Sequence, residues 1–180
     1  MPLIHVHDKR FRLYLSEEEI LTRIREMGQA IEKDYTGKIP LFIAILNGSF
    51  MFASDLFKVL DMPAEICFIK LASYKGTRSS GQVITSIGLD ADLFGRHVII
   101  LEDIIDTGRT MNRFLPQLFH QQPLSLKICA LLHKPEAAVY PVAVDYRGFA
   151  IADKFVVGYG LDYDGLGRNL KAIYQLVEHV

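Results

Sequence analysis

The stretch Val98–Met111, VIILEDIIDTGRTM, joins reactive side chains to an apolar segment. Four apolar residues precede the adjacent carboxylates Glu102 and Asp103, and Asp106 follows two isoleucines later. The residues after Asp106 add hydroxyls, a glycine and a cation: Thr107, Gly108, Arg109 and Thr110. The pattern predicts a buried strand that stops at Glu102, then a loop, and then a helix.

This loop has the composition of a phosphate site. A helix N-terminus offers free backbone N–H groups and partial positive charge, and Gly108 permits a tight turn close to a ligand. The GxxxxGK[ST] spacing of a P-loop is absent. Adjacent acids suit ribose hydroxyls or a Mg²⁺ ion, and Asp106 is placed to act as a general base. The alternative is an acidic loop in which Asp106 merely caps the helix.

Composition narrows the class of protein. The chain has 180 residues, half of them hydrophobic and 23% charged, which favours one globular domain. Its formal net charge of −1 argues against a broad basic face for nucleic acid or membrane. Cys67 and Cys129 lie in apolar runs and are expected to be buried free thiols. The N-terminus lacks the apolar region of a signal peptide, so a cytoplasmic protein is expected.

Apolar runs alternate with helical patterns along the chain. Ser16 and Glu19 form a capping box before an amphipathic helix. The strand-length run Leu41–Leu46 is followed by Asn47–Ser49 and a second helical pattern. This order predicts an α/β fold with a mostly parallel sheet covered by helices on both faces. Ligands of such sheets bind beyond the carboxyl ends of the strands, where Asn47–Ser49 and the three carboxylates are expected.

The stretch VIILEDIIDTGRTM resembles the phosphoribosyl-diphosphate motif of type I phosphoribosyltransferases, and its EDIIDTG form is similar to the hypoxanthine-guanine branch. LNGSFMFASDL resembles that branch's pyrophosphate loop, LASYKG its flexible catalytic loop, and LLHK and DKFVVGYGLDYDGLGRNL its purine-binding hood. The resemblance implies one domain over residues 1–180, with a core at about 16–135 and a hood from 1–15 and 136–180. It also implies Mg²⁺-dependent transfer of 5-phosphoribosyl to N9 of hypoxanthine or guanine, with release of pyrophosphate.

The resemblance assigns roles to individual residues. Contacts to ribose and 5′-phosphate are implied for Glu102, Asp103, Asp106, Thr107, Gly108, Arg109 and Thr110. Contacts to pyrophosphate are implied for Leu46, Asn47, Gly48, Ser73, Tyr74 and Arg168, with a cis peptide between Leu46 and Asn47. Contacts to the purine are implied for Lys134, Phe155 and Val156, and metal ligation for Glu102, Asp103 and Asp162. The resemblance also implies that Asp106 is the catalytic residue, which meets the N7 proton.

Simpler interpretations of these residues stay open at this point. Leu46–Ser49 is also compatible with an ordinary turn in which Ser49 caps a helix. A lysine at a strand end, as at Lys134, is usually solvated, and an aromatic residue such as Phe155 is usually core. Two departures from the family stand out. Asn47 occupies a position where many members have lysine, and the glycines of YDGLG after Asp162 predict a looser segment.

Function also has alternatives. A related enzyme for another base is one; Lys134 argues against adenine but leaves xanthine open. A non-catalytic RNA-binding regulator on the same fold is the other, and it would be expected to carry a basic face. The polar, Gly/Ser-rich segment Tyr74–Gln82 predicts a mobile lid over the reaction. A homodimer or homotetramer is expected.

Overall fold

The structure, a computed structural model, describes residues 3–72, 84–87 and 89–177. It is an α/β fold with two sheets, which confirms the predicted class. The described elements are β1 (Leu3–Val6), β2 (Lys9–Leu15), α1 (Glu17–Asp34), β3 (Leu41–Leu46), α2 (Phe50–Val59), β4 (Glu65–Ala72), β5 (Ile84–Ile87), β6 (His97–Ile105), α3 (Arg109–Phe119), β7 (Ser125–His133), β8 (Tyr146–Ala150), β9 (Val156–Val157) and β10 (Ile173–Leu176). Within these ranges, no helix has both the length and the apolar character needed to cross a membrane.

The larger sheet has the strand order β5-β4-β3-β6-β7-β8. Five of its strands are parallel, and β5 pairs antiparallel with β4 at one edge. Successive side chains of a strand point to opposite faces, so Phe42 and Ala44 pack with α1 and α2 while Ile43 packs with α3. The sheet is therefore covered on both faces, as expected of apolar parallel strands.

Helix α1 begins as its capping box predicts. The Ser16 hydroxyl accepts the N–H of Glu19, and the Glu19 carboxylate accepts the N–H of Ser16. Its apolar stripe then packs on the sheet through four buried side chains, Ile20, Ile24, Met27 and Ile31. Helices α1 and α2 therefore cover one face of the larger sheet, whose strand ends carry the predicted site.

Strand β6 does not stop at Glu102, as was predicted, but continues to Ile105. Its pairing with β3 ends at Ala44–Leu101, whereas its pairing with β7 continues to Ile105–His133. The apolar pair Ile104–Ile105 extends the ladder because β7 is long enough to provide partners. The last four residues of β6 thus pair on one side only, and their other edge is open to a ligand.

The smaller sheet forms the hood and has the antiparallel order β1-β2-β10-β9. It joins the N-terminal hairpin to the C-terminal segment around a small core of Val6, Phe11 and Val157. Strand β8 pairs parallel with β7 and belongs to the larger sheet. The larger sheet therefore extends to Ala150, whereas the resemblance implied a core that ends near residue 135.

Candidate active site

An open cleft of about 460 Å³ lies at the carboxyl end of β6. It is lined by Ile45, Leu71, Glu102, Asp103, Ile104, Ile105, Asp106, Thr107, Gly108, Arg109, Thr110, Met111 and Arg113. The whole predicted ribose and phosphate segment therefore faces one space. A cleft at the ends of parallel strands is where an α/β sheet normally binds its ligand.

Glu102 and Asp103 form a crowded acidic pair at the base of this cleft. Glu102 is only 7% exposed, and its burial, reinforced by repulsion from Asp103, raises its pKa well above the usual range. Burial also raises the pKa of Asp103, although hydrogen bonds and the nearby Arg168 oppose this rise. A cation next to two such carboxylates would lower their pKa values and stabilise the ionised forms. The pair is therefore suited to bind one, directly or through a ligand.

The residue that caps the N-terminus of α3, at the end of the predicted phosphate loop, is Gly108 and not Asp106. Gly108 is the N-cap of α3 and has φ +77°, a conformation that favours glycine. A Cβ atom on it would lie 2.0 Å from the carbonyl oxygen of Tyr140. The N–H groups of Val139 and Tyr140 both donate to the carbonyl of Thr107 at 3.0 Å. The alternative in which Asp106 caps the helix is therefore wrong, and its carboxylate remains available to a substrate.

A second loop, Leu46–Ser49, meets the acidic pair at Gly48. The Leu46–Asn47 peptide is cis, which confirms that expectation. A Cβ atom on Gly48 would lie 1.6 Å from Asp103 Oδ2, so a larger residue at this position would require the carboxylate to move. The Ser49 hydroxyl donates to the carbonyl of Ile45 at 2.6 Å and makes no capping bond to α2. The alternative in which Leu46–Ser49 is an ordinary turn with Ser49 capping α2 is therefore wrong.

Arg168 ties a third segment to the same region. Its guanidinium donates to the carbonyl of Gly160 at 2.7 Å and pairs with Asp162 at 2.7 Å. Gly160 packs closely against the Leu46–Ser49 loop, since a Cβ atom on Gly160 would lie 2.0 Å from the Gly48 carbonyl oxygen. Arg168 also lowers the pKa of Asp103 through its charge, although burial dominates that pKa. The predicted pyrophosphate residues Gly48 and Arg168 thus lie on segments that touch.

The predicted metal ligands do not form one cluster. Within the described part of the chain, no three His, Cys, Asp or Glu side chains are grouped so that they could hold an ion. Asp162 is engaged instead by Arg168 and by the N–H of Gly165 at 2.8 Å. Metal ligation by Glu102, Asp103 and Asp162 therefore stays a prediction, with the first two as an adjacent pair and Asp162 paired with an arginine.

Lys134 is buried at the end of β7 and is not solvated. It is 6% exposed, and its ammonium lies 3.5 Å from Asp106 Oδ2 and 3.3 Å from Asp153 Oδ1. Its backbone N–H donates to the carbonyl of Ile105 at 2.8 Å, which places the two strand ends side by side. A buried ammonium beside a carboxylate forms a matched donor and acceptor pair, as recognition of a planar heterocycle requires.

Phe155 and Val156 lie in the hood. Phe155 is 43% exposed, so it is not a core residue, and its ring contacts Tyr163 edge-on at 5.8 Å between centroids. Val156 is 6% exposed and pairs with Gln175 of β10. The glycine-containing segment nearby forms a tight two-residue turn. Tyr163 and Leu166 exchange both backbone hydrogen bonds around Asp164 and Gly165, which both have positive φ.

Comparison with known proteins agrees with this geometry. The phosphoribosyl transferase domain family matches residues 14–164. A hypoxanthine-guanine phosphoribosyltransferase of Lactococcus lactis is 43% identical over 160 residues, covering 88% of this chain and 87% of that protein. A hypoxanthine-guanine-xanthine phosphoribosyltransferase of Tritrichomonas foetus is 39% identical over 170 residues, covering 94% and 93%.

Solved structures give the same result. A hypoxanthine-guanine phosphoribosyltransferase of Bacillus anthracis superposes with a TM-score of 0.87 at 38% identity, covering 92% of this chain and 98% of that one. A mutant hypoxanthine phosphoribosyltransferase of Trypanosoma cruzi, solved as a ternary substrates complex, has a TM-score of 0.86 at 40% identity, covering 92% and 94%. The chain belongs to the hypoxanthine-guanine branch of the type I phosphoribosyltransferase family.

Sequence reasoning missed several residues that shape the site of this phosphoribosyltransferase. Asp153 lies 19 residues from Lys134, and Tyr140 supports Gly108 from a separate loop. Neither carries a local signal, because each acts through a contact between distant segments. Gly160 had a partial signal in the sequence GYG, whose three residues all have positive φ. The predicted Ser73 and Tyr74, and the predicted lid Tyr74–Gln82, lie outside the described residues.

Proposed function

We propose that this enzyme transfers the 5-phosphoribosyl group of phosphoribosyl diphosphate to N9 of hypoxanthine or guanine in purine salvage. The products are IMP or GMP and pyrophosphate. One observation carries the proposal: the buried Lys134 ammonium lies 3.5 Å from Asp106, beside the phosphate loop that begins α3. A 6-oxopurine offers a carbonyl oxygen at C6 and a proton on N7, and this pair complements both.

The purine is activated from its N7 side. Lys134 donates to O6, while Asp106 accepts or shares the N7 proton and thereby raises electron density at N9. The N9 lone pair forms the new bond to C1′ as the C1′–O bond to pyrophosphate breaks. The electron pair of that bond leaves with pyrophosphate. Phe155, with its half-exposed ring, supplies a face on which the purine can stack.

The phosphoribosyl group is positioned by the cleft. The N-terminus of α3 receives the 5′-phosphate through backbone amides and the hydroxyls of Thr107 and Thr110. Glu102 and Asp103 address the ribose hydroxyls from the base of the cleft. Holding both substrates in this way converts a two-molecule reaction into one within a complex. Charge that develops on the departing pyrophosphate meets Arg168 and the amides of the Leu46–Gly48 loop.

Magnesium fits this donor set. The acidic side chains offer only oxygen ligands, and burial raises the pKa values of Glu102 and Asp103, so a cation beside them would favour their ionised forms. Asp103 and Asp162 would hold Mg²⁺ together with substrate oxygens, because a Mg²⁺ ion needs only one or two protein carboxylates. When bound, Mg²⁺ would offset negative charge on pyrophosphate. Asp162 would then exchange part of its contact with Arg168.

The setting of the enzyme completes the proposal. We infer a cytoplasmic enzyme, which the two free cysteines Cys67 and Cys129 fit, since disulfides are uncommon in that compartment. We also infer assembly as a homodimer or homotetramer. Size-exclusion chromatography with light scattering tests the second point, and a monomer at micromolar concentration would contradict it.

A spectrophotometric assay tests the reaction. The protein is mixed with phosphoribosyl diphosphate, Mg²⁺ and, in turn, hypoxanthine, guanine, xanthine and adenine. The proposal requires nucleotide formation from hypoxanthine or guanine and little from adenine, whose 6-amino group is a donor facing the Lys134 donor. Faster turnover of xanthine than of both others would favour the xanthine enzyme instead. Absence of turnover with all four purines would refute the proposal.

A further inference from the structure

Lys134 stands between two carboxylates, and only one of them belongs to the proposed chemistry. Asp106 Oδ2 lies 3.5 Å from the ammonium, and Asp153 Oδ1 lies slightly nearer, at 3.3 Å. The lysine side chain is 8% exposed, whereas that of Asp153 is 62% exposed. A buried cation thus pairs with a carboxylate that is largely exposed.

We propose that Asp153 is a positioning residue for purine recognition, holding the Lys134 ammonium in place while Asp106 engages the base. This inference rests on the proposed function. An ammonium has three N–H donors, so Lys134 can serve O6, Asp106 and Asp153 together. With Asp106 as its only anionic partner, the lysine would compete with the N7 proton for the same carboxylate. Asp153 lessens that competition.

Burial makes a second partner valuable. A charged ammonium removed from water loses hydration free energy, which opposite charges must offset. Lysine also has a flexible four-carbon stem and binds as a point charge, so it needs external contacts to fix its direction. Asp153 supplies such a contact from a different segment than Asp106. The ammonium is therefore held from two sides.

Asp153 also links the two walls that would enclose the purine. It lies between β8 and β9, two residues before the exposed ring of Phe155. The N–H of Ile151, two residues before Asp153, donates to the carbonyl of His133 at 2.8 Å, which ties the segment to the end of β7. The Lys134–Asp153 ion pair thus sets the spacing between the O6 donor and the stacking ring. A fixed donor rejects adenine more strongly than a mobile one.

Steady-state kinetics of Asp153→Asn test the inference. We expect KM for hypoxanthine to rise about three- to tenfold, a range suited to loss of a half-exposed ion pair with one buried member. KM for phosphoribosyl diphosphate should stay within about twofold, and the ratio of hypoxanthine to adenine activity should fall. Asp153→Glu retains the charge and should recover part of the loss. Glu136→Gln, which removes a charge from the exposed turn after Lys134, is the matched control and should behave as wild type.

The outcomes separate this inference from the proposed function. A wild type that uses hypoxanthine, together with an Asp153→Asn variant of unchanged hypoxanthine KM and selectivity, overturns the positioning role alone. A variant that loses thermal stability and weakens both substrates equally also overturns it, since that result indicates a structural role. A wild type that uses no 6-oxopurine overturns the proposed function and this inference with it.

Discussion

Replacement of Gly48 by alanine tests how tightly the pyrophosphate loop is packed on the acidic pair. Gly48 has no positive φ, so alanine meets no backbone penalty there. The added Cβ would lie 1.6 Å from Asp103 Oδ2, and ordinary contact begins near 3.4 Å, so the two atoms must separate by about 1.8 Å. Gly48→Ala therefore forces the Asp103 carboxylate out of its position.

The loss of stability in this variant depends on the contacts that Asp103 makes in the native protein. Its Oδ1 accepts the N–H of Ile104 at 2.9 Å, a bond that rotation of the carboxylate weakens. Overpacking costs about 1–3 kcal/mol, so we expect a loss of about 2 kcal/mol in the free energy of unfolding. For a chain of this size, that lowers Tm by about 4–8 °C. Moving the carboxylate would also weaken the hydrogen bond that we propose between Asp103 and a ribose hydroxyl of the substrate. A lost hydrogen bond to a charged group is worth about 1.5 kcal/mol, so KM for phosphoribosyl diphosphate should rise about tenfold.

Calorimetry and kinetics measure the two effects, and a double-mutant cycle assigns their cause. In an Asp103→Ala background the clash is gone, so the added Gly48→Ala change should cost under about 0.5 kcal/mol. Gly37→Ala is the control: Gly37 has φ +73° with no neighbour within 4 Å, so alanine there should cost about 1–2 kcal/mol through backbone strain alone and leave both KM values unchanged. An equal Gly48→Ala cost with and without the Asp103 carboxylate would refute the steric argument.

Four further predictions concern the chemistry. Asp106→Asn should retain phosphoribosyl diphosphate binding but lower kcat by about 10²–10⁴, the scale of a general base; wild-type turnover across the pH range would exclude that role. Lys134→Gln should reduce the preference for hypoxanthine over adenine, since glutamine can donate or accept; an unchanged ratio would show that another residue selects the base. Deletion of Gly76–Gly81, outside the described residues, should slow nucleotide synthesis and increase wasted hydrolysis of phosphoribosyl diphosphate; unchanged synthesis and product partition would show that this segment does not cover the reaction. Burial and repulsion from Asp103 raise the pKa of Glu102, so the folded protein binds more protons than the unfolded chain above about pH 4.5, and stability falls as pH rises. Glu102→Gln should therefore stabilise metal-free protein more at about pH 8 than at about pH 5 in denaturant titrations, and equal gains would contradict the raised pKa.

Local patterns in the sequence were sufficient for the class of fold and for the phosphate loop. Apolar strand-length runs between amphipathic helices indicated a covered parallel sheet, since burial on both faces leaves no polar alternation. The capping box formed as Ser16 and Glu19 predicted, because both partners lie within one turn. Glu102–Thr110 face one cleft because they are consecutive residues at one strand end. Interactions between near neighbours in the chain can be inferred from spacing alone.

Tertiary structure decided what lies opposite those residues. The ladder with β7 carried β6 to Ile105, past the carboxylates at which the strand was predicted to stop. Asp153 reaches Lys134 across 19 residues, and Gly48 meets Asp103 across the gap between two loops. Such contacts depend on strand order, register and loop path, which arise from packing of the whole chain rather than from any short pattern. The sequence by itself therefore determined which groups are available for the chemistry, and the packed fold determined which of them touch.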